Sequence, residues 1–175
     1  MSAVATSATD IRPALVAAGL LLLVARRPVP GAVAMTVAAG SLAVASRGQR
    51  ARRVRPLHAG LVTALGIVAF AASRLFGRAT PLPAPPLTIA ADVVAAVAEE
   101  AFFRHLMFQV LQPFGPVVAV AGTAAAFAAI HIPMYGLRSV PLNFAAGLLF
   151  GWQRHATGTW TSPAASHVIA NLLSR

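Results

Sequence analysis

The sequence predicts an all-α protein, a polytopic transmembrane bundle of about six or seven helices, most of them spanning the bilayer. Three observations predict this class. Hydrophobic residues make up 58 % of the 175 residues and charged residues only 10 %, against about 45–50 % and about 25 % in typical soluble domains. The mean hydropathy is +0.74. The apolar residues also form long runs that are separated by arginine-, proline- and glycine-containing breaks, as in multi-pass membrane proteins.

The charge pattern excludes several classes of function. The net charge of +10 comes from arginine alone, and the arginines cluster between apolar runs, as they do in loops beside a membrane. A nucleic-acid-binding protein would present them on a polar face, so we expect no nucleic-acid partner. The chain has no cysteine, which excludes disulfides, thiolate metal sites and a cysteine nucleophile. We therefore expect a multi-pass integral protein of the plasma membrane, with the lipid bilayer as one partner.

The N-terminal half is predicted to supply membrane helices only. Its apolar runs are 13–25, 29–45 and 59–76, and a loop with five arginines, 46–55, separates the last two. The first run is short for a span, and a signal peptide is the alternative, although a signal peptide carries its charges before the apolar run. The predicted organisation of one membrane domain is a disordered or frayed N-terminus at 1–12, N-terminal transmembrane helices at 13–78, a Pro-rich linker at 79–87 and a helical core at 88–175.

The C-terminal half is predicted to form four further helices. Pro133 should end the second of them, because proline cannot donate a backbone hydrogen bond. Gly147 and Gly151 have the small-xxx-small spacing that lets helices approach closely, and residues 153–163 are predicted to form a polar loop. The four predicted helices are 88–112, 117–132, 141–152 and 164–173.

Two adjacent glutamates lie inside the first of these helices. Glu99 and Glu100 are half of the acidic residues in the chain, and a carboxylate at membrane depth costs several kcal/mol unless it is paired or faces water. Arg104 lies four residues after Glu100, so the two can form an ion pair on one helical face. Glu99 points about 100° away from that face, which makes it a candidate general base. A purely structural pair that joins helices explains the glutamates equally well.

Two more helices carry polar groups. His131 lies near the end of its helix, and His167 and Asn171 are four residues apart on theirs, so they share a face. Taken alone, each is more simply a satisfied core or interhelical hydrogen-bonding residue. His58, His105 and His155 are expected to be structural or exposed.

Together, these helices offer a carboxylate, two imidazoles and an amide. Such a set can activate water and stabilise an oxyanion, as amide hydrolysis requires. It could also bind a divalent metal such as zinc, through Glu99, His131 and His167. No known metal motif and no serine nucleophile elbow is present. We therefore expect that no cofactor is required, and the metal stays an alternative.

The ordered motifs resemble the CPBP family of intramembrane proteases, the type II CAAX prenyl endopeptidases and their bacterial relatives, some linked to bacteriocin processing or self-immunity. The family patterns are two glutamates followed by an arginine, a phenylalanine four residues before a histidine, and a histidine four residues before an asparagine. This chain carries all three in order, as Glu99-Glu100-Ala-Phe-Phe-Arg104, Phe127-Ala-Ala-Ile-His131 and His167-Val-Ile-Ala-Asn171.

The resemblance implies an endopeptidase that cuts a peptide or protein substrate in or near the membrane, which could be of the prenylated CAAX type. It implies that Glu99 activates water with help from His131, and that His167 and Asn171 stabilise the oxyanion. Glu100 and Arg104 would support the site.

Two other classes of function stay open. A non-enzymatic immunity or partner protein on the same scaffold would be sensitive to changes in the arginine loop rather than in the motifs. A proton-coupled transporter would use the glutamates as titrating groups, but the two halves show no repeated pattern of broken helices.

Overall fold

The computed structural model describes residues 10–24, 37, 40–41, 55–73 and 86–173. Within these ranges the protein is all-α, with six helices and no strand. The third helix continues past Glu100 through a π-helical segment, Ala101–Met107, and one α-helical turn, Phe108–Leu111. The six helices are α1 (Arg12–Val24), α2 (Pro56–Ser73), α3 (Pro86–Glu100), α4 (Pro116–Tyr135), α5 (Val140–Thr157) and α6 (Thr161–Leu173).

The π-helical segment lies at the centre of the described bundle. All seven of its residues are buried, and it contacts α1, α4 and α5. The close approach of α1 depends on Gly19, where a Cβ atom would lie 2.3 Å from the Phe102 ring. Phe102 packs edge-on against Phe103, which packs edge-on against Phe127 of α4. The motif glutamates are therefore attached directly to a segment that is buried along its whole length.

The helices α4 and α5 form an antiparallel hairpin whose backbones approach closely at two glycines of α5. A Cβ atom on Gly147 would lie 2.8 Å from Ala124 Cα, and one on Gly151 would lie 3.2 Å from Val120 Cα. The backbones can pack this closely because neither glycine has a side chain. The predicted role of the two glycines is thus confirmed.

Two predicted helix ends are wrong. Pro133 lies inside α4, which ends at Tyr135; its φ angle fits a helix, so it removes a single hydrogen bond in the last turn, and Gly136 N donates to Ile132 O at 2.8 Å. The predicted loop 153–163 is mostly helical, because α5 runs to Thr157 and α6 begins at Thr161. Gln153 lies in α5, and its polar side chain is buried rather than exposed as in a loop. Its Nε2 donates to Val62 O of α2 and to Ser166 Oγ of α6.

One described helix, α4, is long and apolar enough to cross a membrane, judged by length and composition. Two shorter apolar stretches, Arg12–Leu21 and Pro56–Ala72, are also present. The expectation was that most helices span the membrane, and among the described residues one helix is a clear candidate for a span. The predicted frayed N-terminus, most of the run 29–45, the arginine loop before Arg55 and the Pro-rich linker before Pro86 lie outside the described residues.

We predict that Gly147→Ala destabilises the protein by about 1–3 kcal/mol, because the new methyl group overpacks against the Ala124 backbone. Gly60→Ala on α2 is the matched control, since nothing lies within 4 Å of a Cβ atom there, and alanine is favoured over glycine in a helix by about 0.5–1 kcal/mol. Thermal unfolding in detergent measures both variants. Equal unfolding midpoints would contradict the close α4–α5 contact.

Candidate active site

The two adjacent glutamates face different helices. Glu99 Oε2 lies 3.9 Å from His131 Nε2 of α4. Glu100 Oε1 lies 2.9 Å from His167 Nδ1 of α6. All four side chains are buried. The structure therefore brings the three motifs together and forms two carboxylate–imidazole pairs, one between α3 and α4 and one between α3 and α6.

Arg104 bonds to Glu100, as its spacing predicts. Arg104 Nη1 donates to Glu100 Oε1 at 3.1 Å, and Arg104 Nη2 donates to Gly147 O of α5 at 3.0 Å. The arginine is 0 % exposed. Its guanidinium carbon lies within cation–π distance of three ring centres, which belong to Phe103 at 5.6 Å, Phe127 at 4.8 Å and Phe150 at 5.2 Å. A buried positive charge thus adjoins the second glutamate.

The tautomer of His131 follows from its hydrogen bond to the backbone. His131 Nδ1 lies 2.7 Å from Phe127 O, and a carbonyl oxygen only accepts, so Nδ1 carries a proton. In the neutral ring, Nε2 is then an acceptor, and it faces Glu99. The ring of Tyr135 stacks on the imidazole with a centroid distance of 5.8 Å and an interplanar angle of 13°. Sequence reasoning missed Tyr135, although its four-residue spacing from His131 places both on one helical face.

His167 is held by Glu100 and by two aromatic rings. Its Nδ1 donates to the carboxylate oxygen that also accepts from Arg104. The imidazole stacks on Phe150 at 4.9 Å and meets Phe127 edge-on at 5.6 Å. Asn171 lies one helical turn further along α6 and is partly buried. The contacts with Glu100, Phe127 and Phe150 hold the His167 ring in place. Because Nδ1 is bonded to Glu100, Nε2 lies on the other side of the ring.

Arg154 is a buried residue of the site region that sequence reasoning missed. Its Nε donates to Arg104 O at 2.8 Å, and its guanidinium carbon lies 5.2 Å from the Phe108 ring centre. In the sequence, Arg154 is a single arginine in a stretch that is predicted to be a loop, so nothing local indicates that it is buried.

The three histidines outside the motifs do not contact the motif glutamates in the contacts described above. His58 and His155 are exposed, while His105 is buried beside Trp160, with 5.9 Å between ring centroids.

The described residues do not fit a metal site of the predicted composition. A search of the described ranges finds no group of three His, Cys, Asp or Glu side chains that could hold a metal ion. Of the three predicted ligands, Glu99 and His131 face each other, whereas His167 is bonded to Glu100. We therefore derive no chemical step through a metal.

The chain was also compared with known proteins. Residues 81–173 match the family described as type II CAAX prenyl endopeptidase Rce1-like. Neither the curated proteins nor the solved structures contain a significant match to the chain. The family match covers slightly more than half of the 175 residues, including all three motifs and both carboxylate–imidazole pairs. The protein therefore belongs to the Rce1-like family of type II CAAX prenyl endopeptidases.

Proposed function

We propose that this protein is an intramembrane endopeptidase in which Glu99 and His131 activate the attacking water. The observation that carries the proposal is the pair formed by Glu99 Oε2 and His131 Nε2, 3.9 Å apart and buried, on two different helices. This distance exceeds that of a direct hydrogen bond. At such separations, two polar groups are commonly bridged by water.

The chemistry of the pair suits water activation. An ionised Glu99 accepts hydrogen bonds, and so does His131 Nε2 in the tautomer set by Phe127 O. A water molecule that donates both of its hydrogens to these two acceptors keeps an oxygen lone pair for attack on a peptide carbonyl. As the new C–O bond forms, Glu99 takes the proton. That proton is then available to the leaving amine nitrogen when the C–N bond breaks.

His167 and Asn171 are proposed to stabilise the oxyanion of the tetrahedral intermediate. In this role the His167 ring carries protons on both nitrogens, with Nε2 donating to the oxyanion and Nδ1 donating to Glu100. Glu100 supplies the counter-charge, and its bond to Arg104 holds it in place. The Asn171 amide is the second donor. Preorganised donors of this kind typically contribute a factor of about 10²–10³ to the rate.

The substrate is proposed to be a membrane-associated peptide, and prenylated CAAX-type peptides are one form that the assay below tests. Family membership supports a peptide substrate. The apolar helix α4, which carries His131 and is long enough to cross a membrane, supports hydrolysis within or next to the bilayer. We propose that the protein is a multi-pass plasma-membrane enzyme, with further spans among its other apolar runs.

We predict that Glu99→Gln lowers kcat by about 10²–10⁴-fold, because the amide cannot accept the proton from water. The assay uses purified protein in liposomes with a mixed set of prenylated and unprenylated membrane peptides. Asp92→Asn is the matched control, since it makes the same chemical change two turns earlier on α3. Thermal unfolding midpoints verify that both variants fold. Undiminished hydrolysis by Glu99→Gln would contradict the proposal and favour a scaffold that works without this chemistry.

We also predict that no divalent metal is required, since Glu99, His131 and His167 are not grouped as a ligand set in the described structure. Cleavage should stay within about two-fold of its starting rate after dialysis against strong chelators, because the proposed water activation uses side chains alone. The Glu99→Gln protein gives the background rate. A loss of activity that added zinc restores would contradict this prediction.

A further inference from the structure

We propose that Arg154 is a positioning residue that holds the π-helical segment in the register required to aim Glu99 and Glu100 at their separate histidines. The inference rests on the proposed function for its catalytic consequence and on the geometry of α5 and the π-helical segment for its cause. Arg154 lies 50 residues from Arg104 in the chain, yet it reaches the Arg104 backbone carbonyl, not its side chain.

The carbonyl of Arg104 is the one that the helical hydrogen-bond pattern passes over. The backbone N–H of Phe108 donates to Phe103 O, five residues back, which is the π-helical spacing. The α-helix that begins at Phe108 returns to four-residue spacing, in which the N–H of residue 109 pairs with the carbonyl of residue 105. Carbonyl 104 is thereby left outside the pattern, and a buried carbonyl without a donor costs about 1–3 kcal/mol. Arg154 Nε supplies that donor at 2.8 Å.

Two further features fix the position of Arg154: the contact of its side chain with Phe108 and the place of its backbone at the end of α5. Its guanidinium carbon lies 5.2 Å from the centre of the Phe108 ring, and Phe108 is the first residue after the π-helical segment. The side chain is only 6 % exposed. Its backbone belongs to the last turn of α5, which Gly158 ends with a φ of 68°. Arg154 therefore contacts both the passed-over carbonyl and the residue at which the α-helix resumes.

The register of this segment determines where the glutamates point. A π-helical insertion adds one residue to the helix, so its loss would rotate α3 by about 100° relative to Phe108 and the residues that follow. Glu99 would turn away from His131, and Glu100 would turn away from His167. By stabilising the insertion, Arg154 acts on the reacting groups from outside the site.

Two substitutions separate this hydrogen bond from simple packing. Arg154→Met keeps an apolar chain over Phe108 but removes every donor, whereas Arg154→Lys keeps a donor and the charge but loses the planar group. If the hydrogen bond matters, Arg154→Met should lower kcat by about 10–100-fold, since a misplacement of about 1 Å can cost that much. Arg154→Lys should retain more activity than Arg154→Met, and KM should change by less than about three-fold in both, because binding contacts remain. Arg138→Gln, on an exposed arginine, is the control.

Hydrogen exchange gives a readout that does not depend on activity. Amides of residues 101–109 should exchange faster in Arg154→Met than in the wild type, while those of α4 stay protected. The proposal is overturned if Arg154→Met is as active as Arg154→Lys or more so, or if residues 101–109 are unaffected, or if all helices lose protection equally. If Arg154→Met does not fold, a kcat loss of about 100-fold or more in Arg154→Lys overturns it. A wild type that cleaves no peptide would refute the proposed function, and the exchange data would still decide the role of Arg154.

Discussion

The environment of Arg104 is the constraint on which the rest of the site depends. A fully buried guanidinium is costly unless it is paired with an opposite charge and hydrogen-bonded. Here Glu100 offsets its charge, Gly147 O accepts from it across the helix interface, and three aromatic faces surround it. Each such face contributes up to about 2 kcal/mol when desolvated. Because these groups come from α3, α4 and α5, the charge can be buried only when the three helices are packed together. The same packing brings His131 of α4 to Glu99, and α6, which packs against α3, brings His167 to Glu100.

Adjacent residues on a helix diverge, and the site uses that divergence. Glu99 and Glu100 leave α3 about 100° apart, so two neighbouring carboxylates serve two histidines on different helices. Glu100 is the more constrained, since it accepts from Arg104 and His167 through one oxygen. This arrangement pairs Glu100 with an arginine and a histidine, and our proposed function gives the role of base to Glu99. The π-helical segment begins directly after Glu100, so a segment whose seven residues are all buried sets the register of the pair.

Local rules predicted much of the fold, and they selected candidate residues that the structure brings into contact. The all-α class follows from composition, and the Glu100–Arg104 pair follows from four-residue spacing. The histidine partner of each glutamate depends on how three helices pack, which local spacing does not determine. Arg154 was missed because polar residues near the end of α5 resemble a loop, and its buried partner is 50 residues away. The π-helical segment was not predicted, because local spacing does not reveal that Arg154, 50 residues away in the chain, donates to the Arg104 carbonyl within it. At Pro133 a local rule was applied too strictly. The rule that proline ends a helix predicts a stop there, but the helix continues for two more residues, to Tyr135.

The most direct test of the account is to measure which glutamate faces which histidine in a lipid bilayer. Magic-angle-spinning NMR on protein with ¹³C-labelled glutamate and ¹⁵N-labelled histidine reports couplings between carboxyl carbons and imidazole nitrogens. Glu99→Gln and Glu100→Gln assign the two carboxyl signals. The account predicts a strong coupling of Glu100 to His167 Nδ1 and a weaker one of Glu99 to His131 Nε2, in line with the 2.9 Å and 3.9 Å separations. Exchanged partners, or both glutamates coupled to one histidine, would contradict it.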